Sequence, residues 1–134
     1  MPIQSLEASF VQGMTYTPWA IQEKLRRALA GQSTQQGSYN KRLAVLLHLN
    51  AALSMRYPTY RCDELRHQVT EWLIGEPSTT RLSEAQAVAL LNWMTFKCPQ
   101  TGDFVQRSTV PDEIEAILEQ TGATAVDKRQ LQLL

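Results

Sequence analysis

Five cations and one aromatic ring flank a polar segment in the first third of the chain, and together they could bind phosphate groups and a base. The segment, residues 31–38, reads GQSTQQGS and has two glycines and no apolar side chain, which predicts a flexible loop. If this loop brings its ends together, the cations surround one surface and the ring can stack an unpaired base. The residues are Lys24, Arg26, Arg27, Lys41, Arg42 and the aromatic Tyr39.

These cations also have a purely structural interpretation, which stays open for three of them. A predicted helix ends near Lys24, Arg26 and Arg27, where positive charge favours the helix dipole without any ligand. The next predicted helix begins near Lys41 and Arg42, where the dipole opposes positive charge. That small electrostatic cost favours an acidic partner, either nucleic acid or an acidic protein surface.

The charge distribution along the sequence indicates one basic pole and one acidic pole. The 134 residues carry 13 Lys and Arg against 13 Asp and Glu, a net charge of zero. Up to residue 60, six cations oppose two anions, and from residue 61 seven cations oppose eleven anions, so the halves carry +4 and −4. A basic pole can contact phosphate or an acidic protein, and an acidic pole can contact a basic one, including another copy of the chain.

Side chains that could do catalytic or metal chemistry are present but poorly arranged. Cys62 and Cys98 lack the close pairing of a zinc site, and His48 has no acid or thiol at helical spacing. Neighbouring acids such as Asp63 and Glu64 point apart on a helix. The sequence therefore predicts no catalytic residue, no metal, no cofactor and no small-molecule substrate.

Length and composition indicate one domain spanning residues 1–134, since 43% of the residues are hydrophobic and 19% are charged. The first ten residues show neither a basic stretch nor an apolar stretch of the kind found in export signals, and no long apolar run follows. We therefore expect a cytoplasmic protein without a membrane segment.

The spacing of apolar residues is helical along most of the chain and predicts an all-α fold, a compact orthogonal or bundle-like domain of five to six helices. Thr17-Pro18 is a helix start signal, and the sequence from Ser83 to Gln86 is a capping box. Residues 96–106 fit either a short hairpin or an irregular loop, and the tail 123–134 either docks or frays. The predicted helices cover residues 3–14, 18–30, 39–57, 61–74, 84–96 and 111–121.

The predicted helix over residues 39–57 is apolar around most of its circumference. Such a helix must be covered on every side, either at the centre of the bundle or by a second subunit. We therefore predict a homodimer, with a dimer or partner face that includes Leu46, Leu49 and Leu53.

Residues 82–94, LSEAQAVALLNWM, form a capped amphipathic helix that follows a Lys- and Gln-containing helix start. In this order of features the chain resembles the helical accessory modules at the tails of phage and bacterial DNA recombination and replication proteins. The resemblance covers less than half of the chain and implies a role in nucleic-acid metabolism, without assigning any functional residue.

Two functions follow from these patterns. One is a non-enzymatic helical protein whose basic surface binds nucleic acid or a nucleic-acid-processing complex. The other is a homodimeric adaptor or assembly factor that docks another protein through apolar helices and charge poles, without contacting nucleic acid.

Overall fold

The computed structural model describes residues 10–122, and in that range it is mostly helical. The all-α expectation is confirmed in this coarse form, with one small antiparallel sheet added. Over these described residues, no helix is long and apolar enough to cross a membrane. The elements in chain order are α1 Pro18–Leu29, α2 Tyr39–Ser54, α3 Cys62–Ile74, α4 Glu84–Met94, β1 Thr95–Lys97, β2 Phe104–Gln106 and α5 Val110–Thr121.

Two of the predicted helix starts are confirmed by their capping bonds. The amide of Ala20 donates to the Thr17 hydroxyl at 3.2 Å, one residue before Pro18. At the start of α4, the Gln86 amide donates to the Ser83 hydroxyl at 3.1 Å, and the Ser83 amide donates to the Gln86 side chain at 2.9 Å. This reciprocal pair satisfies two backbone donors that the helix itself leaves open.

The predicted helix over residues 3–14 is wrong in the part that the structure describes. Residues 10–14 form an irregular stretch with a turn at Gln12 and Gly13, and Gly13 has φ 91°. The carbonyls of Val11 and Met14 accept hydrogen bonds from the side chain of Arg107, which competes with helix formation there. Residues 3–9 of that prediction, and the predicted tail 123–134, lie outside the described residues.

The hairpin alternative for residues 96–106 is confirmed. β1 and β2 pair in antiparallel register, with Phe96 opposite Val105. The connecting turn is closed by two hydrogen bonds of 2.8 Å, from the Cys98 amide to the Asp103 carbonyl and from the Gly102 amide to the Cys98 carbonyl. Because Thr95 already belongs to β1, α4 ends at Met94 rather than at the predicted residue 96.

The helices enclose one core, and α2 packs against α3, α4 and α5. Leu49 and Leu53 are fully buried in this core within a single chain. The prediction that they belong to a dimer face is therefore wrong, because the domain's own helices already cover them. Leu46, the third residue of the predicted face, is half-buried. Its neighbour Leu47, which the prediction did not include, is exposed.

A buried ion pair joins the ends of several elements. Arg107 and Glu113 are both fully buried, with Nη2 of the arginine 2.5 Å from Oε1 of the glutamate. The same carboxylate accepts from the Trp93 indole at 2.9 Å and from the backbone amide of Tyr16 at 2.8 Å. Arg107 also donates through Nε to the Trp93 carbonyl at 2.6 Å. The pair therefore ties residues 10–16, the end of α4 and the start of α5 together.

We expect Glu113→Gln to lower the free energy of unfolding by about 3–5 kcal/mol, because Arg107 would stay buried without a counter-charge. Urea unfolding followed by circular dichroism measures the change. Glu71→Gln, at an exposed position of α3, is the matched control and should change stability by less than about 0.5 kcal/mol. Equal effects of the two substitutions would contradict the role assigned to the pair.

Candidate functional site

The two arginines at the end of α1 share one carboxylate. Arg26 Nη2 lies 2.5 Å and Arg27 Nε lies 2.8 Å from Oε2 of Glu23. Hydrogen bonds from both guanidinium groups, Arg26 first, lower the pKa of Glu23. The arginine side chains stay 69% and 77% exposed. This end of α1 therefore offers two accessible cations with a net charge of +1.

Lys24, the third cation of α1, contacts two aromatic rings and not Glu23. Its ammonium group stands 5.9 Å from the ring centroid of Phe10 and 5.6 Å from that of Tyr16, within cation–π range. Those two rings pack edge to face, with centroids 5.2 Å apart. Lys24 thus covers the N-terminal segment, and Arg26 and Arg27 contact Glu23 instead.

The cations at the start of α2 bind groups of the same chain. Lys41 Nζ lies 2.5 Å from Oε2 of Glu84, and this contact, followed by the Ser38 amide, lowers the pKa of Glu84. Arg42 donates at 3.0 Å to the carbonyls of Gly37 and Thr80. Lys41 therefore has an acidic partner within the chain, at the first residue of α4, and its contact with nucleic acid or an acidic protein surface stays a prediction.

The C-terminal half of the polar segment 31–38 is hydrogen-bonded to the chain at the start of α4. The Gly37 amide donates to the Leu82 carbonyl and the Glu84 amide donates to the Gln35 carbonyl, each at 2.9 Å. A Cβ atom at Gly37 would lie 3.2 Å from the Leu82 and Ser83 carbonyl oxygens, so this close approach favours glycine. The mobility of the segment stays a prediction. Tyr39, which follows it, is 67% exposed and free to stack.

A groove runs between α2, α4 and the hairpin, mainly apolar in one part and mixed in the other, and sequence reasoning did not identify it. One part holds about 290 Å³ and is lined by Lys41, Ala44, His48, Val88, Leu91, Asn92, Thr95 and Phe104. A second part of about 440 Å³ shares the last three of these and adds Phe10, Phe96 and Lys97. Phe104, which lines both parts, is 66% exposed. We call the two parts together the hairpin groove.

The position of the hairpin fixes the shape of this groove. Gln106 donates through Nε2 to the His48 carbonyl at 2.8 Å, so β2 is attached to the middle of α2. The Arg107 amide donates to the Met94 carbonyl at 2.7 Å, which returns the chain to the end of α4. Burial lowers the pKa of His48, whose side chain lines the groove. The sequence signal that could have found the site is the apolar Phe104-Val105 pair on a strand too short to bury both faces.

The two cysteines lie in different environments. Burial raises the pKa of Cys62, on the core side of α3. Hydrogen bonds from Thr101 and the Gln100 amide lower the pKa of Cys98 in the hairpin turn. In residues 10–122 no group of three His, Cys, Asp or Glu side chains is placed to hold a metal ion.

No protein-family model, curated protein or solved structure matches the chain. The resemblance to the accessory modules of recombination and replication proteins, which spans residues 39–94, therefore stays a prediction. What the chain can bind follows from the chemistry of the two surfaces described above, the exposed cations and the hairpin groove.

Proposed function

We propose that the protein is a non-enzymatic protein-binding domain that accepts an apolar segment of a partner protein in the hairpin groove. The observation that carries the proposal is the groove itself, whose first part is mainly apolar and whose two parts share a phenylalanine ring that is two-thirds exposed. Exposed aromatic side chains beside apolar pockets are typical of binding surfaces, because covering them with a partner removes apolar area from water.

Three properties of the groove support a protein segment as its occupant. The surface of its first part is mainly apolar and favours side chains such as Leu or Phe. Phe104 lines both parts, so one segment can contact its ring from each of them. Asn92 and Thr95 also line both parts and can orient a partner by hydrogen bonds. The remaining polar members are Lys41, His48 and Lys97.

A second candidate function is nucleic-acid binding at the end of α1. The observation that favours it is the single carboxylate shared by Arg26 and Arg27, which leaves one positive charge uncompensated on two exposed side chains. The paired Lys41 contributes less to this surface, because Glu84 already neutralises it. This weaker basic surface is why the hairpin groove is our first proposal.

The groove is tested by selecting displayed helical peptides on the immobilised protein and measuring their affinity by fluorescence anisotropy. We expect Phe104→Ser to weaken the selected peptides at least about tenfold, because it removes the ring that both parts share. Tyr60→Ser, on another exposed aromatic residue, is the control and should leave affinity within about twofold. Undiminished affinity in Phe104→Ser, or no enriched peptide, would contradict the proposal.

Binding in the groove should also depend on pH. Burial already holds the pKa of His48 below its ordinary value of 6.5, and a bound segment would exclude more water and lower that pKa further. The affinity should therefore be full when His48 is neutral and fall as the pH drops through the lowered pKa of His48, which lies below 6.5. In His48→Gln the affinity should be flat between about pH 7.5 and pH 5.5, while the control His67→Gln behaves like the wild type. An identical pH profile in His48→Gln would show that His48 does not face the bound segment.

The second candidate makes a separate prediction. Labelled single- and double-stranded oligonucleotides should bind at low salt, and binding through Arg26 and Arg27 should show a log–log salt slope of roughly −1.4 to −1.8. Replacing both Arg26 and Arg27 by Gln should make this slope shallower by up to about two. A lack of oligonucleotide binding in about 20 mM salt would exclude nucleic-acid binding and would not bear on the proposal for the hairpin groove.

A further inference from the structure

The outward side of α2 carries an apolar ridge that the hairpin groove does not use. Its residues follow one another at intervals of four, so they form one continuous row on the helix surface. Leu47 is 58% exposed and Met55 is 65% exposed, and the row begins at the exposed Tyr39. We call this row the α2 ridge: Tyr39, Leu43, Leu47, Ala51 and Met55.

The ridge is also free of charge. Between Arg42 and Arg56 the sequence has no Asp, Glu, Lys or Arg, although several of these positions face solvent. A solvent-facing helix surface normally carries charged residues, and an uncharged one indicates contact with another apolar surface. The core-facing residues of α2 already have their partners, whereas Tyr39, Leu47 and Met55 stay more than half exposed within residues 10–122.

The symmetry of the ridge indicates what covers it. Leu47 lies at the middle of α2, with two ridge positions before it and two after it. A two-fold axis at Leu47 would place this leucine against its own copy and Leu43 against Ala51 of the other chain. Rows at intervals of four pack into one another with helix axes crossing at about −50°. We propose that a second copy of this chain covers the α2 ridge, with the two α2 helices antiparallel about this axis.

The charges at the two ends of α2 fit this arrangement. At the beginning, Lys41 and Arg42 outweigh Glu84, which gives +1. At the end, Arg56 pairs with both Asp112 and Glu115, which gives −1. Antiparallel pairing brings the positive end of each copy toward the negative end of the other, and the helix dipoles add to this attraction. A parallel pair would bring like charges together.

This inference goes beyond the proposed function, because the ridge residues differ from those that line the hairpin groove, although Lys41, which contributes to the charge at the beginning of α2, also lines the groove. Ala44 and His48 face the groove, and the ridge residues lie beside them on the outward side. The contact between two copies would therefore give a dimer with two hairpin grooves. Such a protein can bring two partner segments together, and each segment gains affinity from the second attachment.

The experiment is sedimentation velocity of the full chain between about 5 µM and about 500 µM, a range that includes the weak dissociation constants expected for a small helix pair. We expect a reversible monomer–dimer equilibrium. Leu47→Glu should raise the dissociation constant at least about tenfold, because it buries a charge at the two-fold axis. Gln120→Glu adds the same charge on the exposed side of α5 and should leave the equilibrium unchanged.

A charge exchange tests the orientation. Lys41→Glu changes the first end of α2 from +1 to −1, and Asp112→Lys changes the second end from −1 to +1. Each alone should weaken the dimer about fivefold, and the double variant should restore it to within about twofold. A monomer throughout the concentration range, or a dimer that Leu47→Glu leaves intact, would overturn the inference. Peptide binding by the groove is measured separately, so a monomer that still binds peptides would leave the proposed function standing.

Discussion

The ion pair between Arg107 and Glu113 is fully buried, and the position of the hairpin depends on it. Arg107 follows β2 directly, and its backbone and side chain bind the last two residues of α4, Met94 and Trp93. Glu113 lies in the first turn of α5 and accepts hydrogen bonds from the indole of Trp93 and the amide of Tyr16. A carboxylate and a guanidinium can lie in a core only where hydrogen bonds replace their lost water, and here backbone carbonyls, an amide and an indole do so. The cost of separating the partners therefore fixes how residues 10–16, the hairpin and α5 meet.

The junction held by Arg107 and Glu113 also determines which side chains of the hairpin are exposed. Because β2 must reach Arg107 at a fixed point, Phe104 stands above α2 and α4 instead of folding into the core. The bond from Gln106 to the His48 carbonyl completes the attachment on the other side. α2 thus has three sides with different environments: one faces the core, one faces the hairpin groove and one carries the uncharged ridge. The same helix that stabilises the domain also exposes apolar side chains to solvent.

The sequence was sufficient for features that depend on neighbours along the chain. The capping box at Ser83 and the Thr17-Pro18 start are local hydrogen-bond patterns, and both were predicted with their residues. Features that depend on residues far apart were missed. The stretch at residues 10–14 has helical spacing, but Arg107 binds its carbonyls from almost a hundred residues away. Lys41 and Glu84 are 43 residues apart in sequence, so the interpretation of Lys41 as a binding cation could not include its own partner. Leu49 and Leu53 were assigned to a partner face because an apolar helix does not reveal which of its sides the same chain will cover.

We have proposed that the exposed side chains of the α2 ridge form a contact surface between copies of the chain. Hydroxyl-radical footprinting can test this claim, because Met and Tyr react readily and the chain offers matched pairs. Tyr39 and Met55 lie on the ridge, and Tyr60 and Met14 are similarly exposed away from it. If the claim holds, raising the protein concentration from about 5 µM to about 500 µM protects Tyr39 and Met55 and leaves Tyr60 and Met14 unchanged. Equal reactivity of all four residues at both concentrations would contradict it.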